Sequence, residues 1–292
     1  MVRKGIVLAG GAGSRLRPAT LAVSKQLLPV YDRPMIYYSL ALLMEAGIRD
    51  ILLIAAPDQL PLYRRLLGKG EDFGIALSYR AQARPLGLPD AFRVGASFVG
   101  REPVCLALGD NVMFGPSLAK TLARAARMDR GARIFVRRVP DARRFGTVSF
   151  DANGRPRRLT EKPSAKRPGD AVPGLYFFGP DVVALARRLE PSVRGELEIM
   201  DLLRAYLERG ALTVDRLASD VAWFDMGTPD SLLDAARAVR TREKARGVKV
   251  ACPEAIALRR GWLTPAAVRR RAAALGGTDY GRYLVRCADR RR

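Results

Sequence analysis

Three groups of residues in this 292-residue chain have the types and spacing to do chemistry. The first is Gly10-Gly11-Ala12-Gly13-Ser14-Arg15, which ends a short apolar run and is followed by Lys25. Glycines here permit positive φ and remove side chains that would hold an anion away from the backbone amides, and Arg15 adds a planar fork for phosphate oxygens. Two better-known phosphate loops are excluded. A Walker loop needs Gly-Lys-Ser/Thr where the chain has Gly13-Ser14-Arg15, and a dinucleotide fingerprint needs glycine where the chain has Leu16. An ordinary strand–turn–helix junction would use the same glycines. The second group is a pair of carboxylates, Asp110 after the apolar run 104–109 and Asp225 after the run 221–224. Brought to one sheet edge beside a phosphate loop, they suit Mg²⁺, which takes one or two protein carboxylates and completes its shell with water and substrate phosphates. Taken singly, each reads equally well as a strand-end turn residue. The third is Glu161-Lys162-Pro163, an acid and a base able to reach a sugar hydroxyl and a phosphate, or else an exposed salt pair.

The chain has no histidine. That removes Ser-His-Asp and Cys-His catalysis, histidine-ligated zinc and imidazole acid–base chemistry, and leaves carboxylates, Lys, Arg and a hard metal.

The elements that must position these groups alternate from the start. Strands are predicted near 4–9, 50–55, 76–81, 103–108 and 132–138, with helices near 34–46, 58–67, 88–98 and 116–128. This is the pattern of βαβ units and a mostly parallel, doubly wound α/β sheet, whose ligands bind beyond the carboxyl ends of the strands. After residue 140 the rhythm changes. Two short strands flank Asp151-Ala152-Asn153-Gly154 as a hairpin, a strand follows over 171–178, helices over 180–188 and 196–209, a short strand over 221–226, and a long helix to about 246. Short basic helices are expected beyond.

Length and composition, with 48% hydrophobic and 27% charged residues, describe a globular chain with a large core. No apolar run is long enough to span a membrane and the start lacks a signal-peptide core, so a cytoplasmic protein is expected. The three cysteines form neither an even framework nor a close-spaced metal pair. The net charge of +22 is unevenly spread: residues 237–292 hold 16 Lys or Arg against 4 Asp or Glu. With few aromatics and no nucleic-acid motif, that charge reads as a solvated basic face, and a nucleic-acid partner is not expected.

Together these residues resemble the short bacterial sugar-nucleotide pyrophosphorylases over almost the whole chain. Their signature Gly-Gly-x-Gly-Thr/Ser-Arg-Leu-x-Pro-x-Thr is matched from Gly10 to Thr20. The run from Ser24-Lys25-Gln26 to Tyr37-Tyr38 is similar to the thymidylyl branch rather than the adenylyl or guanylyl ones. Gly109-Asp110-Asn111, Glu161-Lys162-Pro163, Gly174-Leu175-Tyr176-Phe177, the run from Arg194 to Ile199, and Asp225 with Thr228 complete the match.

The resemblance implies Mg²⁺-dependent transfer of dTMP from dTTP to glucose 1-phosphate, giving dTDP-glucose and pyrophosphate, by a homotetramer. Another hexose 1-phosphate, UTP, or a non-catalytic nucleotide-sugar sensor are the alternatives. It implies a nucleotidyltransferase domain over 1–240, its nucleotide half to about 140 and an inserted sugar lobe after it, with a basic helical extension over 241–292. Nucleotide contacts would come from Leu8, Gly10, Gly11, Ala12, Gly13, Ser14, Arg15, Lys25, Gln26, Gln82, Gly87 and Asp110. Sugar-phosphate contacts would come from Asn111, Gly146, Glu161, Lys162, Val172, Tyr176, Arg194 and Trp223. Asp110 and Asp225 would ligate the metal, and Arg15, Lys25, Asp110, Lys162 and Asp225 would carry catalysis. The chain departs from the family at Asp90, where an amide is usual, and at Phe145, Pro173 and Met200, where hydroxyl residues are usual. It also departs at Pro116-Ser117, in a region where relatives bind an effector.

Overall fold

The computed structural model describes residues 1–11 and 13–290. Ala12 lies outside the described residues.

Four parallel strands form the N-terminal part of a ten-stranded sheet: Lys4–Leu8, Asp50–Ala55, Ala76–Ala81 and Val104–Leu108. Their register is continuous, Leu8 pairing with both Ile54 and Leu108. Their spatial order is third, second, first, fourth, so the chain reverses direction across the sheet between the first and fourth strands. Such a reversal opens a crevice at the carboxyl ends, and Gly10 and Asp110 stand on its two sides. The sheet continues through the antiparallel strand Leu175–Phe178 to Ala132–Val139, which Leu212–Arg216 flanks in parallel. Gly169–Ala171 and the hairpin of Thr147–Phe150 and Pro156–Thr160 close that end.

Helices cover both faces. On one side Ile36–Glu45, Leu60–Leu67 and Leu118–Ala125 bury residues such as Leu40, Tyr63 and Leu122 against the sheet. On the other, Asp90–Val94, Val182–Arg187 and Ile199–Glu208 bury Phe92, Val182 and Tyr206. Strands buried from both sides read as near-continuous apolar runs, which is why Gly5-Ile6-Val7-Leu8 and Ile51-Leu52-Leu53-Ile54 show no alternation.

Several expected elements are altered, each for a local reason. The strand expected over 171–178 is two pieces: Ala171 pairs with Arg137 and Tyr176 with Ile134, so two extra residues are accommodated around Val172-Pro173-Gly174. Pro173 has no N–H for the ladder, and a bulge is where a sheet tolerates that. The helix expected over 88–98 breaks at Gly95 into Asp90–Val94 and Ala96–Val99. The short strand expected over 221–226 is present as Ala222–Phe224, but its antiparallel partner Val112–Phe114 and the strand Leu212–Arg216 lie outside the expected elements.

The long helix Pro229–Arg246 starts from a capping box, Thr228 Oγ1 accepting from Ser231 N and Ser231 Oγ from Thr228 N. Its stripe Ala235, Val239 and Glu243 is buried against the small hairpin of Pro29–Val30 and Arg33–Pro34. There Glu243 accepts from the buried Arg33, while Lys249 bridges Glu243 and Asp32. The C-terminal helices Pro253–Arg259, Pro265–Ala274 and Asp279–Asp289 form their own small core around Leu258, Val268 and Leu284, and Ile256 and Ala257 join the core beneath the Ile36–Glu45 helix.

Candidate active site

The crevice holds two cavities. One, about 270 Å³, is lined by Arg15, Gly87, Asp110, Asn111, Arg144, Phe145, Gly146, Glu161, Lys162, Val172, Tyr176, Met200, Trp223 and Asp225, among others. The second, about 300 Å³, is lined by Gly10, Gly11, Thr20, Ser24, Gln82 and Pro85 with their neighbours. The loops 10–15 and 82–88 contribute to both.

The glycine turn is built for close approach. Gly13 has φ 56°, and a β-carbon there would press on Thr20 and Lys25, with Thr20 Oγ1 donating to Gly13 O at 2.8 Å. Gln26, only 1% exposed, supports the turn from beneath, its Nε2 donating to Gly10 O at 3.0 Å. Leu8 is buried in its strand behind the turn, and Ser14 is exposed on the short 3₁₀ turn that carries Arg15. Gly87 must be glycine: φ is 98°, and a β-carbon would stand 2.1 Å from Leu197 O, where the two loops bridge between the cavities.

Both strand-end carboxylates face the crevice, each already paired with a cation. Lys25 Nζ binds Asp110 Oδ2, and Arg144 Nη2 binds Asp225 Oδ2. Arg15 closes in from the same side, its guanidinium about 3.1 Å from where a β-carbon on Gly227 would be. Among the described residues no group of three or more His, Cys, Asp or Glu could cage a metal. Two partly exposed carboxylates instead fit a hard divalent cation that draws most of its shell from water and phosphate oxygens.

The sugar-side residues converge on the remainder of the first cavity. Asn111 is 5% exposed and its Oδ1 accepts from Gly174 N at 2.9 Å and Trp223 Nε1 at 2.7 Å, while its Nδ2 donates to Asp110 Oδ1 at 3.1 Å. The two-residue bulge produces this: it aims Gly174 N at Asn111, and Val172 N donates to Gly146 O at 2.9 Å. Lys162 lies in the left-handed region at φ 41°, an uncommon conformation for lysine. Glu161 is flanked by Lys162 at 3.6 Å and Arg194 at 3.5 Å, and Arg194 also holds Glu198 at 2.7 Å. Burial pushes the Glu161 carboxyl above the ordinary glutamate range, against the pull of Lys162. Tyr176 forms part of the floor and its phenol is also driven up by burial. Arg194 is outside the lining and reaches the cavity through two lining carboxylates, Glu161 and Glu198.

A family model for nucleotidyl transferases matches residues 4–242. The chain belongs to the nucleotidyl transferase family. Among curated relatives, this transferase is 52% identical to the glucose-1-phosphate thymidylyltransferase of Neisseria gonorrhoeae, covering 97% of this chain and 98% of that one. It is 50% identical to the enzyme of the same name from Mycolicibacterium smegmatis, covering 98% and 99%. A solved structure of a protein named as a glucose-1-phosphate thymidylyltransferase from Bacillus anthracis, in complex with a sucrose, superposes with a TM-score of 0.75 at 35% identity, over 81% of this chain and 95% of that one. A UDP-glucose pyrophosphorylase complexed with UDP-glucose shares the fold at a TM-score of 0.70 and 22% identity, over 83% of this chain and all of that one. The transferase fold is thus the expected α/β nucleotidyltransferase architecture, and nucleotidyltransferases of this family typically require a divalent metal. None of its described helices is long and apolar enough to cross a membrane.

Sequence reasoning did not single out Arg144, which sits on Asp225 in the transferase. Its neighbour Arg143 turns outward to Asp141 at 2.7 Å. Nothing in the sequence distinguishes two adjacent arginines except their alternation on the chain entering the hairpin.

Proposed function

We propose that this transferase moves a dTMP group from dTTP to α-D-glucose 1-phosphate, releasing pyrophosphate, with Mg²⁺ as its metal. The observation that carries the reading is the convergence of Arg15, Arg144 and Lys162 in the cavity, and of Lys25 on its Asp110, around two carboxylates in a chain without histidine. Such a site binds and aligns polyanions and has no dedicated base. The reaction needs none: a phosphate monoester has a second pKa near 6, so the sugar phosphate is largely ionised at neutral pH.

In this reading the triphosphate lies over the glycine turn with its base toward Gln82 and Gly87. Asn111, Glu161 and the amide and carbonyl groups near Gly146 and Val172 hold the sugar hydroxyls, while Lys162 and Arg194 hold its phosphate. A sugar-phosphate oxygen attacks the α-phosphorus, and the bond to the β-phosphate's bridging oxygen breaks in line. Arg15, Lys25 and Lys162 stabilise the charge that accumulates, so catalysis is alignment plus fixed positive charge. Asp110 and Asp225 would hold Mg²⁺, which when bound supplies further positive charge to the phosphates. The expected setting is a cytoplasmic homotetramer, with the catalytic domain ending near residue 240 and the basic extension near the subunit contacts.

One observation favours a second reading, the same transfer to another hexose 1-phosphate. Met200 Cε lies 2.0 Å from where a β-carbon on Gly146 would be, and the Phe145 ring packs on Trp223 at 5.0 Å, so this sugar-side wall is apolar. The deciding experiment measures Mg²⁺-dependent pyrophosphate release with dTTP and UTP crossed against the 1-phosphates of glucose, glucosamine, galactose and mannose. Dominance of dTTP with glucose 1-phosphate supports the first reading; another winning pair makes Phe145 and Met200 determinants of specificity. Binding without turnover for every pair would point to a sensor.

A further inference from the structure

The base end of the nucleotide cavity contains a pairing with a consequence for which bases it accepts; the inference rests on the nucleotide reading above. Gln82 follows the Ala76–Ala81 strand, its backbone N–H donating to Ala55 O at 2.9 Å, and its side chain is 8% exposed on the cavity wall. Its Nε2 donates to Asp90 Oδ2 at 2.7 Å, and Asp90 is itself buried. A carboxylate only accepts hydrogen bonds, whereas an amide can present either its oxygen or its nitrogen. The pairing therefore settles which end of Gln82 is committed. With the nitrogen tied to Asp90, Oε1 faces the glycine turn, 3.3 Å from where a β-carbon on Gly10 would stand. An amide at position 90 would satisfy Gln82 equally well in its opposite orientation.

We propose that Asp90 is a positioning residue that fixes Gln82 as a hydrogen-bond acceptor toward the base, and so selects thymine or uracil over cytosine. Thymine and uracil are imides whose ring N3 carries a proton between two carbonyls. Cytosine N3 is a bare acceptor. Set against Gln82 Oε1, it leaves two acceptors facing each other, and a hydrogen bond left unmade at the buried Gln82 costs about tenfold or more in affinity. The device reads the ring nitrogen and ignores the 5-methyl group, so it treats thymine and uracil alike.

The test compares kcat/KM and equilibrium binding of dTTP, UTP and dCTP in the wild type, Asp90→Asn, Gln82→Met and the double variant. Asp90→Asn is expected to lower the dTTP-over-dCTP ratio by about tenfold or more, chiefly by a gain on dCTP, because the freed Gln82 can turn its N–H₂ toward cytosine. The dTTP-over-UTP ratio should hold within about twofold, and Asp90→Asn should add nothing in the Gln82→Met background. An unchanged dTTP-over-dCTP ratio overturns the proposal, and so does an equal loss for both nucleotides, which is what a merely structural carboxylate would give. The same drop in the Gln82→Met background also overturns it, since Asp90 would then act by another route. A wild type that binds dTTP but shows no ratio change in Asp90→Asn removes this inference alone, whereas a wild type that binds none of the three nucleotides removes the nucleotide reading and this inference with it.

Discussion

Each strand-end aspartate is paired with a cation, Asp110 with Lys25 and Asp225 with Arg144. Amide replacements keep the size of the side chain and lose the charge that would hold a divalent ion. Asp110→Asn and Asp225→Asn are therefore expected to lower kcat by about a hundredfold or more with an unaltered circular dichroism spectrum; near-normal metal-dependent rates in both would remove them as ligands. Glu161 offers a test that needs no substrate. Its folded carboxyl holds a proton more tightly than an unfolded glutamate, so its stabilising contribution is complete below the ordinary glutamate pKa and is lost as pH rises through the raised value. Glu161→Gln does not titrate. Denaturation midpoints should show the variant gaining on wild type as pH climbs upward from the ordinary glutamate pKa, and a gap that stays constant as pH rises would contradict the assignment. At this scale the sequence was legible wherever a residue's neighbours on the chain announced it: the glycines before Arg15 or the apolar runs before Asp110 and Asp225. It was silent on Arg144 and on the Gln82–Asp90 bond, because what matters there is which way a side chain turns.

Periodicity and turn chemistry placed the parallel strands, the helices over both faces and the Asp151–Gly154 hairpin, all features specified by local pattern. The bulge at Val172–Gly174, the break at Gly95 and the strand Leu212–Arg216 depend instead on what lies alongside. Leu212–Arg216 is only five residues long and its pairing partner Ala132–Val139 is distant in sequence, so no window of local sequence contains its reason for being extended. The same holds for the Arg33–Glu243 contact, which spans 210 residues. Arg33 is 3% exposed, and Val250 N also donates to Glu243 Oε1 at 2.8 Å. Removing one member strands a charge in the core. Glu243→Ala should cost about 3 kcal/mol in urea unfolding, while Glu243→Gln, which keeps an acceptor, should cost less; equal and small losses would show that the cluster is wet.

Over the whole molecule the basic C-terminal segment is partly spent on internal partners. Arg259 and Arg260 reach Glu45 and its carbonyl, and Arg271 reaches Asp72 and Glu254. The segment is also part of the main core, since Ile256 and Ala257 pack beneath the Ile36–Glu45 helix. Truncation after Gly247 should therefore lower the thermal midpoint by about 10 °C or abolish cooperative unfolding; an unchanged midpoint would make the segment a dispensable appendage. The helix that leads into it is held at both ends. Thr228 caps it two residues after the Asp225-Met226 pair, and Glu243 near its far end grips the hairpin that follows Lys25. Each residue of an α-helix adds about 1.5 Å and 100° of turn. The Pro229–Arg246 helix thus works as a ruler of 18 divisions between two fixed marks. Its exposed face is free to drift in composition, but its length is not: one residue more or less would swing Glu243 off the hairpin or pull Asp225 away from the crevice.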